Sequence, residues 1–195
     1  MQKAGLDPKQ IKYVIIGHGH FDHFGGSSYL QKTYKAKVLM SGQDWDFIVS
    51  QPQRTRELPM RDVVVTDGQT LMLGDTTITM MVTPGHTPGS LAILIPVKDK
   101  GKPYIAFMPS GGFAPDHQSF AAIDHAIDVA KKQKAVALLS GHPGIYGDTL
   151  AMLEKRRKNP DGPNPFFYGP ERFARYLDIA DECSKARLIA TEQGK

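Results

Sequence analysis

Cysteine is almost absent from this sequence of 195 residues, in which Cys183 is the only one. A single cysteine excludes a disulfide within the chain and leaves the redox compartment open. Cys183 lies on an amphipathic C-terminal segment with no histidine or asparagine close by in the sequence. We therefore interpret it as a small packing residue and not as a nucleophile.

Long apolar runs are also missing. The apolar stretch at residues 91–97 has only the length of a strand, whereas a membrane-spanning helix needs about 18 consecutive apolar residues. The sequence therefore predicts no membrane span. Its first five residues lack the apolar stretch of a secretory signal, so no export address is visible in the sequence as given.

Charge of one sign is nowhere concentrated enough to indicate a nucleic-acid partner. The net charge is +4, and basic residues alternate with acidic ones along most of the chain. The densest basic run, residues 155–158, is typical of a solvated helix end. With 41% hydrophobic and 23% charged residues the composition is that of a globular protein, and we predict one domain over residues 1–195.

The first part of the chain has the pattern of a β-α-β unit. Residues 13–17 and 37–40 are short apolar runs that predict buried strands, and residues 26–35 between them predict a helix. Residues 44–50 have helical character. The polar loop that follows, residues 51–62, either covers a site or simply connects two elements.

The rest of the chain alternates strands with flanking helices. Segments with β character lie at residues 63–66, 70–73, 76–82, 90–97, 104–108 and 135–139. Turn signals at residues 67–68, 74–75 and 100–101 separate some of them, as expected for antiparallel hairpins. Helices are predicted at residues 119–132 and 171–190. This order indicates an α/β fold in which helices pack on sheets.

Three of the seven histidines fall within six residues at the end of the first predicted strand. His18, His20 and His23 form the pattern H-x-H-x-D-H together with Asp22. On an extended segment His18 and His20 point to the same side and can bind one metal ion, while Asp22 and His23 in the turn beyond can face a second. Gly19 is expected to give the backbone room at the metal. Such ligands suit zinc, although manganese, iron or cobalt accept a similar set.

Two further histidines also follow predicted strands. His86 lies in the turn T-P-G-H-T-P-G-S, and His142 lies in the turn S-G-H-P. With the first cluster they give six ligands, enough for two three-ligand sites that each keep a position open for water or substrate. His117 and His125 lack such a turn motif, and we interpret both as structural or surface residues.

In this order and at these separations, the three motifs resemble the metal-binding motifs of the metallo-β-lactamase superfamily, over nearly the whole chain. The resemblance implies an αββα sandwich with the site at one edge between the two sheets. The pattern is most similar to the class B3 metallo-β-lactamases, which implies two Zn²⁺ ions per chain. In that class the residues matching His18, His20 and His86 hold one zinc ion, and those matching Asp22, His23 and His142 hold the other.

The similarity to class B3 depends on the residues after the strand at 104–108. Most other two-metal members, including glyoxalase II-like and lactonase enzymes, place a bridging aspartate there, and class B1 enzymes a cysteine. This chain has P-S-G-G at residues 109–112 and no carboxylate before Asp116. Ser110 falls where class B3 enzymes carry serines near the substrate carboxylate, so the resemblance implies that it binds substrate, whereas Gly112 stands in place of a second such serine.

The resemblance implies that a small-molecule substrate is hydrolysed by a hydroxide shared between two zinc ions, with Asp22 as a ligand that also orients the nucleophile. One implied reaction is cleavage of a β-lactam amide. Another is cleavage of an ester, lactone or thioester, because the motif sets the metal chemistry and leaves the substrate pocket open.

The start of the chain differs from the family pattern. The superfamily places several strands before the first motif, whereas 17 residues precede His18. We therefore expect a sandwich that is incomplete at its N-terminal side, and a non-catalytic metal-binding fragment is a third hypothesis. The family suggests a periplasmic or secreted location, with the cytoplasm as the alternative, and the oligomeric state is left open.

Overall fold

The computed structural model describes residues 1, 3, 5–51, 57–113, 120–142, 144 and 147–194. The strands are β1 (Tyr13–Ile15), β2 (Lys37–Ser41), β3 (Val63–Val65), β4 (Gln69–Leu73), β5 (Thr76–Val82), β6 (Leu91–Asp99), β7 (Lys102–Pro109) and β8 (Ala137–Leu138). The helices are α1 (Phe21–Phe24), α2 (Ser27–Tyr34), α3 (Gly42–Ser50), α4 (Phe120–Lys132), α5 (Thr149–Lys158) and α6 (Pro170–Glu192).

The strands form two sheets. The first contains β1, β2 and β3 in that order, all parallel. The second has the order β4-β5-β6-β7-β8 and is antiparallel except for the parallel pair of β7 and β8. Because β1 and β2 are parallel neighbours connected through α2, the predicted β-α-β unit is confirmed.

The two sheets pack face to face, as the alternation of side chains along their strands requires. One buried cluster lies between the sheets, with Leu39 and Val65 from the first and Met80, Leu91 and Ile93 from the second. Neighbours of these residues along the strands point outward and pack under helices. On the first sheet they are Val38 and Met40, beside Trp45 and Ile48 of α3. On the second they are Met81, Ala92 and Leu94, beside residues of α4 and α6. The layer order confirms the predicted αββα sandwich.

One of the predicted hairpin turns is wrong. The turn at Gly68 joins β3 of the first sheet to β4 of the second, so it connects two layers. A turn signal specifies a local reversal of the chain but not the partner strand. Here Val65 is buried between the sheets against Leu39 and Met80, and this packing keeps β3 beside β2. The hairpins β4–β5 and β6–β7 form as predicted.

Backbone hydrogen bonds join the two sheets at one edge. The Leu91 amide at the start of β6 donates to the carbonyl of Gly17, 2.7 Å away, just beyond β1. The carbonyl of Leu91 accepts from the amide of Ser110, 2.9 Å away, at the end of β7. The chain segments that carry the histidine motifs therefore begin from the same edge of the sandwich.

Two features at the surface differ from the sequence interpretation. Only the end of helix α5 was predicted, at the basic run, because the helix has no buried residues among those described and so carries no apolar periodicity. The basic run at residues 155–158 forms its last turn. Cys183 is exposed on α6, so its interpretation as a packing residue is wrong.

No helix in the described ranges is long and apolar enough to cross a membrane.

Replacing Leu177 by alanine should lower the free energy of unfolding by about 2–5 kcal/mol, because the truncation leaves a cavity. Leu177 lies on α6 and is fully buried against α4 and the second sheet. Ile179, on the same helix, is 63% exposed, and Ile179→Ala should change the unfolding free energy by no more than about 0.5 kcal/mol. Denaturant titration measures both variants, and equal losses would contradict the packing of α6 described here.

Candidate metal centre

Three histidines from two loops form the first ligand group. His18 and His20 follow β1, and His86 lies in the turn between β5 and β6. One ring nitrogen of each lies within 4.8 Å of those of the other two. His20 Nδ1 lies 3.0 Å from His86 Nε2. The side chains predicted to share one metal ion thus converge on one point.

The second ligand group contains Asp22, His23 and His142. Asp22 and His23 belong to the single turn of α1, and His142 lies beyond β8. Asp22 Oδ2 lies 3.4 Å from His23 Nε2 and 3.3 Å from His142 Nε2. The two histidine Nε2 atoms are 2.9 Å apart. This group therefore joins residues that are 119 positions apart in the sequence.

The two groups touch and form one centre. The ring centroids of His18 and His23 are only 3.8 Å apart. His18 is also surrounded by the rings of its own group, with centroids 5.0 Å away for His20 and 4.6 Å away for His86. All six predicted ligands are therefore within one cluster at the edge where the sheets meet.

The electrostatic environment favours neutral imidazoles. Burial, reinforced by the neighbouring histidines, lowers the pKa of His18 to about 3. Burial also lowers the pKa of His23 and of His86, again together with nearby histidines. Burial acts to raise the pKa of Asp22, but a backbone hydrogen bond and the histidines beside it outweigh that effect and lower it. Neutral imidazoles next to an ionised carboxylate are the protonation states that bind a divalent cation.

The residues present fit zinc. A tetrahedral zinc ion with bonds of about 2.0–2.1 Å holds its ligand atoms about 3.3 Å apart. The closest ligand pairs here are separated by 2.9–3.4 Å. His18 is only 1% exposed, and neither ring nitrogen has a hydrogen-bond partner in the described part of the chain. A buried imidazole normally satisfies at least one of its nitrogens, so both atoms point to a ligand that the protein itself does not supply.

Asp44, in the first turn of α3, is a residue that the sequence interpretation missed. Its carboxylate is fully buried and accepts hydrogen bonds from the Gly19 amide, the Thr87 hydroxyl and the Gly89 amide. Burial raises the pKa of this carboxyl, while the three hydrogen bonds act in the opposite direction. The available signal was the pattern S-G-Q-D after β2, which resembles the capping box of a helix start.

Gly19 has a role that the sequence interpretation did not include. A Cβ atom at this position would lie 2.8 Å from Phe47 Cδ1 and 3.1 Å from Ile48 Cγ2, both on α3. The approach of α3 therefore requires the absence of a side chain here, and the expected room for the backbone at the metal stays a prediction.

Ser110 follows β7, but its hydroxyl is enclosed. The Oγ atom is shielded from solvent, has no hydrogen-bond partner among the described residues, and occupies the space where a side chain on Gly17 would lie. Contact with a substrate would require this side chain to rotate, so its predicted role stays a prediction.

Of the two histidines outside the ligand groups, His125 is exposed on α4, and His117 lies outside the described residues.

Known proteins resemble this chain in sequence and in structure. The profile of the metallo-β-lactamase superfamily matches residues 1–99. The N-acyl homoserine lactonase of Bacillus thuringiensis is 22% identical over 156 residues, which cover 73% of this chain and 60% of the lactonase. A probable polyketide biosynthesis zinc-dependent hydrolase of Bacillus subtilis is 34% identical over 85 residues, which cover 44% of this chain and 35% of that protein. The chain thus spans less than two thirds of the length of these relatives.

A solved structure extends the likeness to the whole fold. BJP-1, a subclass B3 metallo-β-lactamase of Bradyrhizobium japonicum, is 27% identical and superposes with a TM-score of 0.71, covering 97% of this chain and 78% of that chain. The profile match covers half of the present sequence and includes five of the six residues of the two ligand groups. The chain therefore belongs to the metallo-β-lactamase superfamily.

Proposed function

We propose that this chain is a two-zinc hydrolase of the class B3 type that cleaves the amide bond of a β-lactam. The observation that carries the proposal is the second ligand group, in which Asp22 is completed by His23 and His142. At the end of β7, where a bridging carboxylate would stand in most other two-metal members, this chain has Ser110. The likeness to a subclass B3 enzyme over 97% of the chain supports the same assignment.

The ligand groups divide the chemistry between them. His18, His20 and His86 would hold one zinc ion, and Asp22, His23 and His142 the other. Zinc bound by three protein ligands lowers the pKa of a water molecule towards about 7 and polarises a carbonyl group. The Asp22 carboxylate is exposed on one side and ionised. Its oxygen is therefore placed to accept a hydrogen bond from the attacking water and to orient it.

Metal analysis of ligand variants tests this function. The wild-type protein should contain two equivalents of zinc, and His86→Ala and His142→Ala should each lose one. The rate of hydrolysis should fall by on the order of 100-fold or more, because even the loss of a residue that only hydrogen-bonds to a metal ligand typically lowers metal affinity or activity about 10–100-fold. His125→Ala, which changes an exposed histidine on α4, should keep both the metal and the activity. Wild-type protein without bound metal would contradict the proposal.

A second candidate function is hydrolysis of an acylated lactone, ester or thioester, and a cavity favours it. The cavity has a volume of about 310 Å³ and lies between the end of β8, α5 and the segment before α6. Its lining is largely apolar and consists of Leu138, Leu139, Ser140, Thr149, Met152, Leu153, Phe166 and Tyr168. The Ser140 hydroxyl donates to the carbonyl of His142 and accepts from its amide. Through Ser140 the pocket is therefore linked to the backbone of one member of the second ligand group, and its size suits an acyl chain, since ligand sites typically measure about 300–1,000 Å³.

A substrate panel separates the two candidates. Nitrocefin, N-acyl lactones of several chain lengths and aryl esters should be compared at equal zinc loading. If the chain cleaves β-lactams, nitrocefin should have the highest kcat/KM of the panel, because the site would then favour the strained amide bond of a β-lactam over the ester bonds of the other substrates. Lactone cleavage without turnover of nitrocefin would replace it by the second candidate. Full zinc loading without turnover of any substrate would favour the hypothesis of a non-catalytic metal-binding fragment.

If the cavity binds an acyl chain, Met152→Trp should raise KM for long-chain substrates about 10-fold and leave short-chain substrates unchanged. Filling the cavity would remove room for about two methylene groups, each contributing about 0.8 kcal/mol on burial. Leu150→Trp is the matched control, because Leu150 lies on the same helix, is 65% exposed and does not line the cavity. An equal rise of KM for both chain lengths would show that the acyl chain binds elsewhere.

A further inference from the structure

The loops that carry the first ligand group meet on one buried carboxylate. Asp44 Oδ2 accepts hydrogen bonds from the Gly19 amide and from the Thr87 hydroxyl, both at 2.7 Å. Asp44 Oδ1 accepts from the Gly89 amide at 2.8 Å. Gly19 lies between two histidine ligands, and Thr87 directly follows a third. A single side chain of α3 therefore ties the two ligand-bearing loops to each other.

Two buried serines complete this network. Ser41 Oγ accepts from the Asp44 amide at 3.2 Å and donates to the carbonyl of Gly89 at 2.6 Å. Ser90 Oγ accepts from the Thr87 amide at 3.0 Å and lies 2.7 Å from the Thr87 hydroxyl. A side chain at Gly89 would overlap Ser41 Oγ. The loop after β5 is therefore packed closely against the start of α3, and these buried hydroxyl and amide groups are hydrogen-bonded.

The second ligand group is held by other contacts. The backbone of His142 is fixed by Ser140, and Asp22 and His23 belong to the turn α1. Within the described part of the chain, no hydrogen bond connects the Asp44 network to any of these three ligands. The Asp44 network therefore contacts the first ligand group's loops directly and reaches the second group only through the chain at His20, whose carbonyl accepts from the His23 amide at 3.0 Å.

We propose that Asp44 is a positioning residue that sets the geometry of the group His18, His20 and His86 for a metal ion and acts on this group in preference to the other. The inference rests on the proposed two-zinc function and goes beyond it by assigning the support of each zinc site to different residues. Residues that orient the ligands of a metal ion without binding it commonly change its affinity about 10- to 100-fold.

The isosteric change Asp44→Asn removes this support with little change of shape. An asparagine has one acceptor oxygen and one amide group that can only donate. In either orientation the amide group faces a backbone N–H, that of Gly19 or that of Gly89, so one loop must move away. Thr87→Val removes one donor of the network and is a milder second variant in case Asp44→Asn folds poorly.

Asp62→Asn is the matched control. Asp62 Oδ2 also accepts hydrogen bonds, from the Val38 amide and from the Gln31 side chain, but none of its partners is adjacent to a metal ligand. Asp62 is partly exposed, so this variant tests the loss of a carboxylate network away from the metal ligands in the same half of the fold. Unfolding of the metal-free proteins accounts for the larger structural cost of Asp44→Asn.

Zinc affinity should be measured by chelator competition in two backgrounds. His142→Ala isolates the first site, and His86→Ala isolates the second. We expect Asp44→Asn to weaken zinc binding about 10- to 100-fold in the His142→Ala background and much less in the His86→Ala background. Thr87→Val should act in the same direction to a smaller extent, and Asp62→Asn should alter neither background. Thermal unfolding of the metal-free proteins records changes in stability separately.

Equal weakening in both backgrounds, or none in either, would overturn the positioning role of Asp44. The same conclusion would follow if Asp62→Asn reproduced the selective loss. A wild-type protein that binds no zinc would reject the proposed function together with this inference. Two tightly bound zinc ions without hydrolysis would contradict only the proposed function, because the affinity measurements on Asp44 do not depend on turnover.

Discussion

The fold encloses an imidazole that the protein alone cannot satisfy. His18 is fully buried, and neither ring nitrogen has a hydrogen-bond partner among the described residues. A buried polar group without a partner costs about 1–3 kcal/mol, and protonation gives no relief because neighbouring histidines and burial hold the pKa of His18 near 3. A metal ion that accepts the nitrogen lone pair would offset this cost. Under the proposed function, metal binding and folding would therefore be coupled at this residue.

The layers of the sandwich determine which residues can surround His18. The parallel strand β1 ends at the edge where β6 begins and β7 ends, and backbone hydrogen bonds of Leu91 join these segments. The turn with His86 extends from the same edge, and β8 brings His142 to it through its pairing with β7. The cluster thus combines residues from both sheets, so the packing between the sheets is also a condition for the metal centre.

The sequence predicted the parts of this arrangement that are encoded locally. The H-x-H-x-D-H motif and two further histidines that follow apolar strands predicted all six members of the ligand groups. Packing alone seldom explains such a pattern. Asp44 could not be found in this way, since Asp46 lies in the same short helix and only packing decides that Asp44 faces inward while Asp46 is exposed. Likewise, the partner of β3 depends on burial of Val65 between the sheets, which no turn signal specifies.

The supports of the two ligand groups differ in a way that bears on evolution of the site. The first group is anchored to α3 through buried hydrogen bonds, whereas Asp22 and His142 are exposed in the second. The cavity lined by Ser140 is formed by the end of β8, α5 and the segment before α6, which share no hydrogen bond with the Asp44 network among the described residues. Substitutions that reshape this cavity therefore leave the anchor of the first group in place. If the cavity binds substrate, as in the second candidate function, such a separation would allow substrate preference to change while the metal chemistry is retained, as when one fold serves several hydrolytic reactions.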